Sequence, residues 1–107
     1  MKIEAYSNNP KALLNAIEKG IQDEDLKTWT IVKDANDAQY FTHLPEQWFK
    51  KVIIKPTVHD DRVTFLMTYF VKNMPDEATK GYYLGRFTEV LMVHYNHLFS
   101  KLESYAD

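Results

Sequence analysis

Every odd-numbered position from Val63 to Val71 is apolar, and Arg62 and Lys72 close the run at either end. Val63, Phe65, Met67, Tyr69 and Val71 fall on one side of a pleated chain. Arg62, Thr64, Leu66, Thr68, Phe70 and Lys72 fall on the other. A period of two belongs to an extended strand and does not map onto one helix face. At roughly 3.3 Å per residue, Asp61 and Lys72 lie about 36 Å apart. Such a strand presents backbone donors and acceptors along both edges, so the chain must supply neighbours for it.

Those neighbours are visible upstream. Thr28-Trp29-Thr30-Ile31-Val32 is β-branched and aromatic, Asp34-Ala35-Asn36-Asp37 has turn chemistry, and Gln39-Tyr40-Phe41-Thr42 resumes as a strand. A connection through Leu44-Pro45-Glu46-Gln47 leads to Lys51–Lys55, and Val58-His59-Asp60-Asp61 turns the chain into the long strand. Short turns between four successive strands predict an antiparallel meander. Residues 2–6 add a short strand with Ile3 and Ala5 on one face.

Two segments are helical. Asn9-Pro10 is a helix start, because Asn accepts from an orphan N–H and Pro has the φ of the first helical position. Leu13, Leu14, Ile17 and Ile21 then recur at helical spacing over about 10–21. A second start lies at Asn73-Met74-Pro75-Asp76-Glu77. Leu84, Phe87, Leu91, Leu98 and Leu102 mark one stripe beyond it, predicting a helix over 76–103 of about 40 Å. The order β-α-β-β-β-β-α places the chain in the α+β class. It predicts a single mixed or antiparallel sheet with both helices packed on one face, the C-terminal one long, in one domain spanning residues 1–107.

Helices on one face leave the other face open. Fifteen of the 107 residues are Phe, Tyr or Trp, more than one covered face comfortably absorbs. Some rings are therefore expected on the open side, where they would serve a protein partner or a second copy of this chain. Trp29, Trp48, Leu66 and Phe70 are the candidate interface anchors. Gly85 joins them: it lies inside the predicted helix, where glycine costs about 1 kcal/mol relative to alanine, and close packing against a sheet or a partner helix would offset that. The expectation is a non-enzymatic binding or adaptor domain that self-associates, as a homodimer.

Two other chemistries compete with that expectation. The lengths of strand and helix bring His97, with His94 one turn before it, to the level of His59 and Asp61. His59, Asp61, His94 and His97 are thus candidates for a metal or an acid–base pocket. The second is single-stranded nucleic acid: Trp48, Lys50, Lys51 and Lys55 interleave rings and cations, a combination that stacks bases and neutralises phosphates. Fifteen acids against 13 bases argue against it.

The absence of cysteine excludes a disulfide framework, a Cys-ligated zinc and a thiol nucleophile. Three glycines cannot assemble a P-loop or a dinucleotide fingerprint, and no G-x-S-x-G elbow surrounds Ser7, Ser100 or Ser104. No cofactor is expected. Met1 to Ser7 lacks a signal-peptide core, and no apolar run approaches the roughly 20 residues of a membrane span. Cytoplasmic residence without membrane association is the expectation.

Overall fold

The structure is a computed structural model describing residues 1–106. The chain runs β1 (Lys2–Tyr6), α1 (Pro10–Gln22), β2 (Trp29–Lys33), β3 (Gln39–His43), β4 (Ile53–Val58), β5 (Arg62–Thr68), a short 3-10 turn (Val71–Asn73), α2 (Glu77–His94) and β6 (Lys101–Tyr105). The six strands form one antiparallel sheet in the order β2-β3-β4-β5-β1-β6. The expected α+β class, with one sheet and two helices, is what the chain adopts.

Both helix starts use the residues the sequence offers. Asn9 Oδ1 accepts from the Ala12 N–H at 3.2 Å, with Pro10 opening α1. Asp76 Oδ1 accepts from the Thr79 N–H at 2.8 Å and caps α2. These bonds satisfy donors that would otherwise face solvent unpaired. Leu13, Ile17 and Ile21 of α1 and Tyr83, Phe87, Val90 and Leu91 of α2 are buried. They pack with Ile3, Ala5, Phe41, Ile54, Val63 and Phe65, which the strand register places on one side of the sheet. Phe87 sits at the centre, its ring 4.9 Å from Phe65, 5.4 Å from Trp29 and 6.1 Å from Phe41.

Three elements differ from the pattern-based expectation, the first being β4, which spans Ile53–Val58 where Lys51–Lys55 was expected. The alternation through Lys72 is longer than the strand, since β5 ends at Thr68 and Val71–Asn73 coil into a 3-10 turn before Pro75. Phe70 therefore lies just beyond the sheet. The larger difference is at the other end: α2 stops at His94, and residues 101–105 form a sixth strand, not a helix. Three contacts draw the chain back to β1. Ser7 Oγ donates to the Leu98 carbonyl at 2.6 Å, and the Ser100 N–H and Oγ both donate to the Tyr6 carbonyl, at 2.7 and 3.3 Å. β6 then pairs along all five residues of β1, so the first strand is interior and the edges are β2 and β6. No helix among the described residues is long and apolar enough to cross a membrane.

Candidate functional site

The register assigns the open side of the sheet directly. Lys2, Glu4 and Tyr6 of β1 lie beside Leu66, Thr64 and Arg62 of β5, and Ile53, Lys55 and Thr57 of β4 beside Thr68, Leu66 and Thr64. Its middle is polar and internally satisfied. Glu4, only 4% exposed, accepts from Thr64 Oγ1 at 2.6 Å and from Arg62 Nε at 3.0 Å, and pairs with Lys2 Nζ at 3.3 Å. Burial pushes the Glu4 pKa up, but the bonds from Thr64 and Lys2 and the Lys2 and Arg62 charges outweigh it, so it lies below the ordinary value.

Tyr105 is exposed on this side at the β6 edge, and an apolar groove lies at the opposite corner. The groove, of about 480 Å³, runs between Val32, Tyr40, Ile53, Thr68 and Phe70, with Lys33, Lys50 and Lys55 on its rim. Its carboxylate is Asp34, which accepts from the Tyr40 hydroxyl at 2.7 Å and from the Asn36 and Ala38 N–H groups at 2.8 and 3.0 Å. The Tyr40 bond is the largest of the influences that hold the Asp34 pKa below the ordinary range; the two backbone bonds and the Lys55 charge add to it, and burial opposes them. Thr68 Oγ1 donates to the Ile53 carbonyl at 2.7 Å, fixing the floor. Phe70 is 54% exposed and Leu66 41%, and Val71 and Met74 beyond the strand are exposed too.

The residues singled out from sequence divide among several places. Leu66 is on the open side by the β5 register, and Phe70, beyond the end of β5, lines the groove there. Trp29 is not on that side: it faces the helices at 4% exposure, stacked on His43 with ring centroids 4.7 Å apart. The phase of β2 decides this, since Trp29 shares a side with Ile31 and pairs with His43. Trp48 is half-buried in the loop after β3 and leans on Tyr82 of α2 at 5.1 Å, again on the helix side. Lys50 and Lys55 reach the open-side groove, whereas Trp48 does not line it. The ring-and-cation stripe therefore does not assemble on one surface. Gly85 is exposed, and a Cβ there would meet nothing within 4 Å, so neither sheet nor α1 packs closely on it.

The expected histidine cluster does not form. His59 Nε2 is bonded to Thr64 Oγ1 at 3.0 Å, and Asp61 is paired with Arg62 at 2.7 Å. Because α2 ends at His94, His97 is no longer one helical turn from it. Among the described residues, no group of three or more His, Asp or Glu side chains is placed to hold a metal ion.

Most of the groove lining was not among the candidate residues from sequence, including Val32, Lys33, Asp34, Tyr40 and Ile53. Val32 and Tyr40 pair across the β2–β3 hairpin, so the hairpin phase was the available signal. Ile53 lies in an unbroken apolar run whose phase a sequence does not reveal.

Comparison of the chain with protein-family models, curated proteins and solved structures finds no match in any of the three.

Proposed function

We propose that this chain is a non-enzymatic protein-binding domain whose open-side groove takes an apolar side chain from an acidic segment of its partner. One observation carries this: the groove walls are apolar, its rim holds Lys33, Lys50 and Lys55, and its carboxylate, Asp34, is already engaged by three donors. An apolar anchor flanked by carboxylates complements both parts of that surface. Lys50 adds weight. Its φ of 57° lies in the left-handed region, where glycine or asparagine fits better, yet the position carries a lysine whose side chain lines the groove. A second copy of the chain, with net charge −2, is one source of the acidic segment, which is the self-associating form of the same contact.

The test is an NMR titration of the ¹⁵N-labelled chain with a hexapeptide of sequence Asp-Glu-Leu-Phe-Asp-Glu and with the same peptide carrying Lys at the acidic positions. The acidic peptide is expected to shift the Val32, Tyr40, Ile53 and Phe70 amides saturably, with an affinity that falls as salt rises. Equal shifts with the lysine peptide, or shifts confined to the helix side, would contradict the proposal. Light scattering over a concentration series, run alongside, reports whether a second copy competes for the groove.

A further inference from the structure

The sheet has two unpaired edges, β2 and β6. On β6 the direction of each backbone group follows from the register. The Ser7 N–H donates to the Asp61 carbonyl and the Met67 N–H to the Met1 carbonyl, both at 3.0 Å. With Tyr6 opposite Arg62 and Lys2 opposite Leu66, the odd positions of β1 therefore bond to β5 and the even positions face β6. Lys2, Glu4 and Tyr6 stand opposite Tyr105, Glu103 and Lys101, so these three turn their N–H and C=O groups inward. Leu102 and Ser104 turn theirs outward, where no group among the described residues meets them. Such a row of donors and acceptors fits another extended backbone.

The side chains select which backbone. On the open side β6 presents Lys101, Glu103 and Tyr105, and on the helix side Leu102 and Ser104. Lys101 and Glu103 have opposite charge and flank Leu102. An antiparallel copy of β6 that sets Leu102 opposite its own equivalent sets Lys101 opposite Glu103 twice, once on each side of the two-fold axis. The register one residue further centres Glu103 on Glu103, and like charges directly opposite are destabilising. Glu103 already stands opposite Glu4 within the sheet, so a lysine arriving on its outer side relieves a like-charge neighbour. Lys101 Nζ rests over the Tyr6 ring at 4.7 Å, a contact that leaves N–H groups of the ammonium free to donate. On the helix side the half-buried Leu102, packed in part against the core, meets its equivalent and is covered. The β2 edge lacks these features. Its Trp29 N–H is taken by the Leu26 carbonyl at 3.0 Å, and no charge lies between Thr28 and Val32 to set a register.

We infer that β6 is a self-recognition edge, through which two copies of this chain pair antiparallel about Leu102 and join their six-stranded sheets into one. The contact lies across the sheet from the corner groove and does not depend on it.

Charge exchange tests the pairing. Lys101→Glu alone creates two Glu–Glu oppositions in its own dimer, and Glu103→Lys alone creates two Lys–Lys oppositions. Mixed one to one, the two variants restore both opposite-charge pairs. In sedimentation runs over a concentration series, the wild type is expected to reach twice the mass of one chain. Each variant alone should associate about tenfold more weakly, and the mixture should return close to the wild-type affinity. The chain has no cysteine, so a single introduced one reports only on contacts between copies. Leu102→Cys brings two Cα atoms to about 5.5 Å, within disulfide reach, whereas Ser104→Cys leaves them about 13 Å apart or more. Mild oxidation should cross-link the first variant and not the second. A wild type that stays monomeric throughout, a mixture no tighter than its components, or cross-linking of Ser104→Cys in place of Leu102→Cys would each overturn the inference.

Discussion

At the residue scale, the glycines show how differently one residue type is used. Gly20, in α1, is buried, and a Cβ there would collide with the Tyr95 hydroxyl. Tyr95 caps the C-terminus of α2, so Gly20 is where the two helices meet across the core. Gly20→Ala must displace a buried ring and should cost about 1–3 kcal/mol. Gly85→Ala meets open space within a helix and should raise stability by up to about 1 kcal/mol. Urea titration of the two variants checks both signs at once. The sequence drew attention to Gly85, in mid-helix, and passed over Gly20, near the end of α1, because a neighbour 75 positions away is invisible without the fold. Caps were the opposite case: Asn9, Pro10 and Asp76 are local signals, and each does what its type dictates.

Glu4 belongs to the same scale. Its pKa is depressed in the folded chain, so its contribution is fully present above the ordinary value of 4.5 and is lost as the pH falls below it. Glu4→Gln removes charge-assisted bonds to Arg62 and Lys2 and should cost about 1–3 kcal/mol near neutrality. The variant should also lose less stability than the wild type on moving to a pH of about 3. Urea midpoints at the two pH values measure the difference.

At the scale of elements, β6 is the part of the fold that pattern alone mistook. Leu98 and Leu102 extend the α2 stripe at helical spacing, and this outweighed the weaker alternation of Lys101, Leu102, Glu103, Ser104 and Tyr105. What decides the matter is long-range: Ser7 and Tyr6 hold Leu98 and Ser100, and β1 offers an edge that only the assembled sheet possesses. Ending the chain at Ser100 should lower stability by about 2 kcal/mol or more, through the lost ladder and the partly buried Leu102. It should also leave β1 as an open edge that promotes association. The denaturant midpoint and the mass in solution report the two effects. By contrast, β1 to β5 were legible because hairpin turns and alternation are local, apart from the bounds of β4, which the unbroken Val52-Ile53-Ile54 run obscures, and the end of β5, which the continuing alternation disguised.

At the scale of the whole molecule, the covered and open sides of one sheet have different characters. The helix side absorbs more of the aromatics than a simple count suggested, Trp29 among them. The open side is charged and satisfied around Glu4; its exposed apolar residues are Leu66, Tyr105 at the β6 edge and, where β5 leaves the sheet, Phe70, which lines a groove. An interface spread over the whole face has little support in that distribution; a contact through the corner groove has the lysine rim and Phe70. Phe70 and Leu44 form a matched pair for testing it, at 54% and 49% exposure but in different surroundings: Phe70 lines the groove, and Leu44 lies near Trp29, Ile31 and Ile21. The most direct measurement is the dissociation constant for the acidic hexapeptide in the wild type, Phe70→Ala and Leu44→Ala. Phe70→Ala should weaken binding by about tenfold or more, as loss of a central aromatic anchor does, with Leu44→Ala unchanged. Equal affinities in all three proteins would contradict the groove as the binding surface.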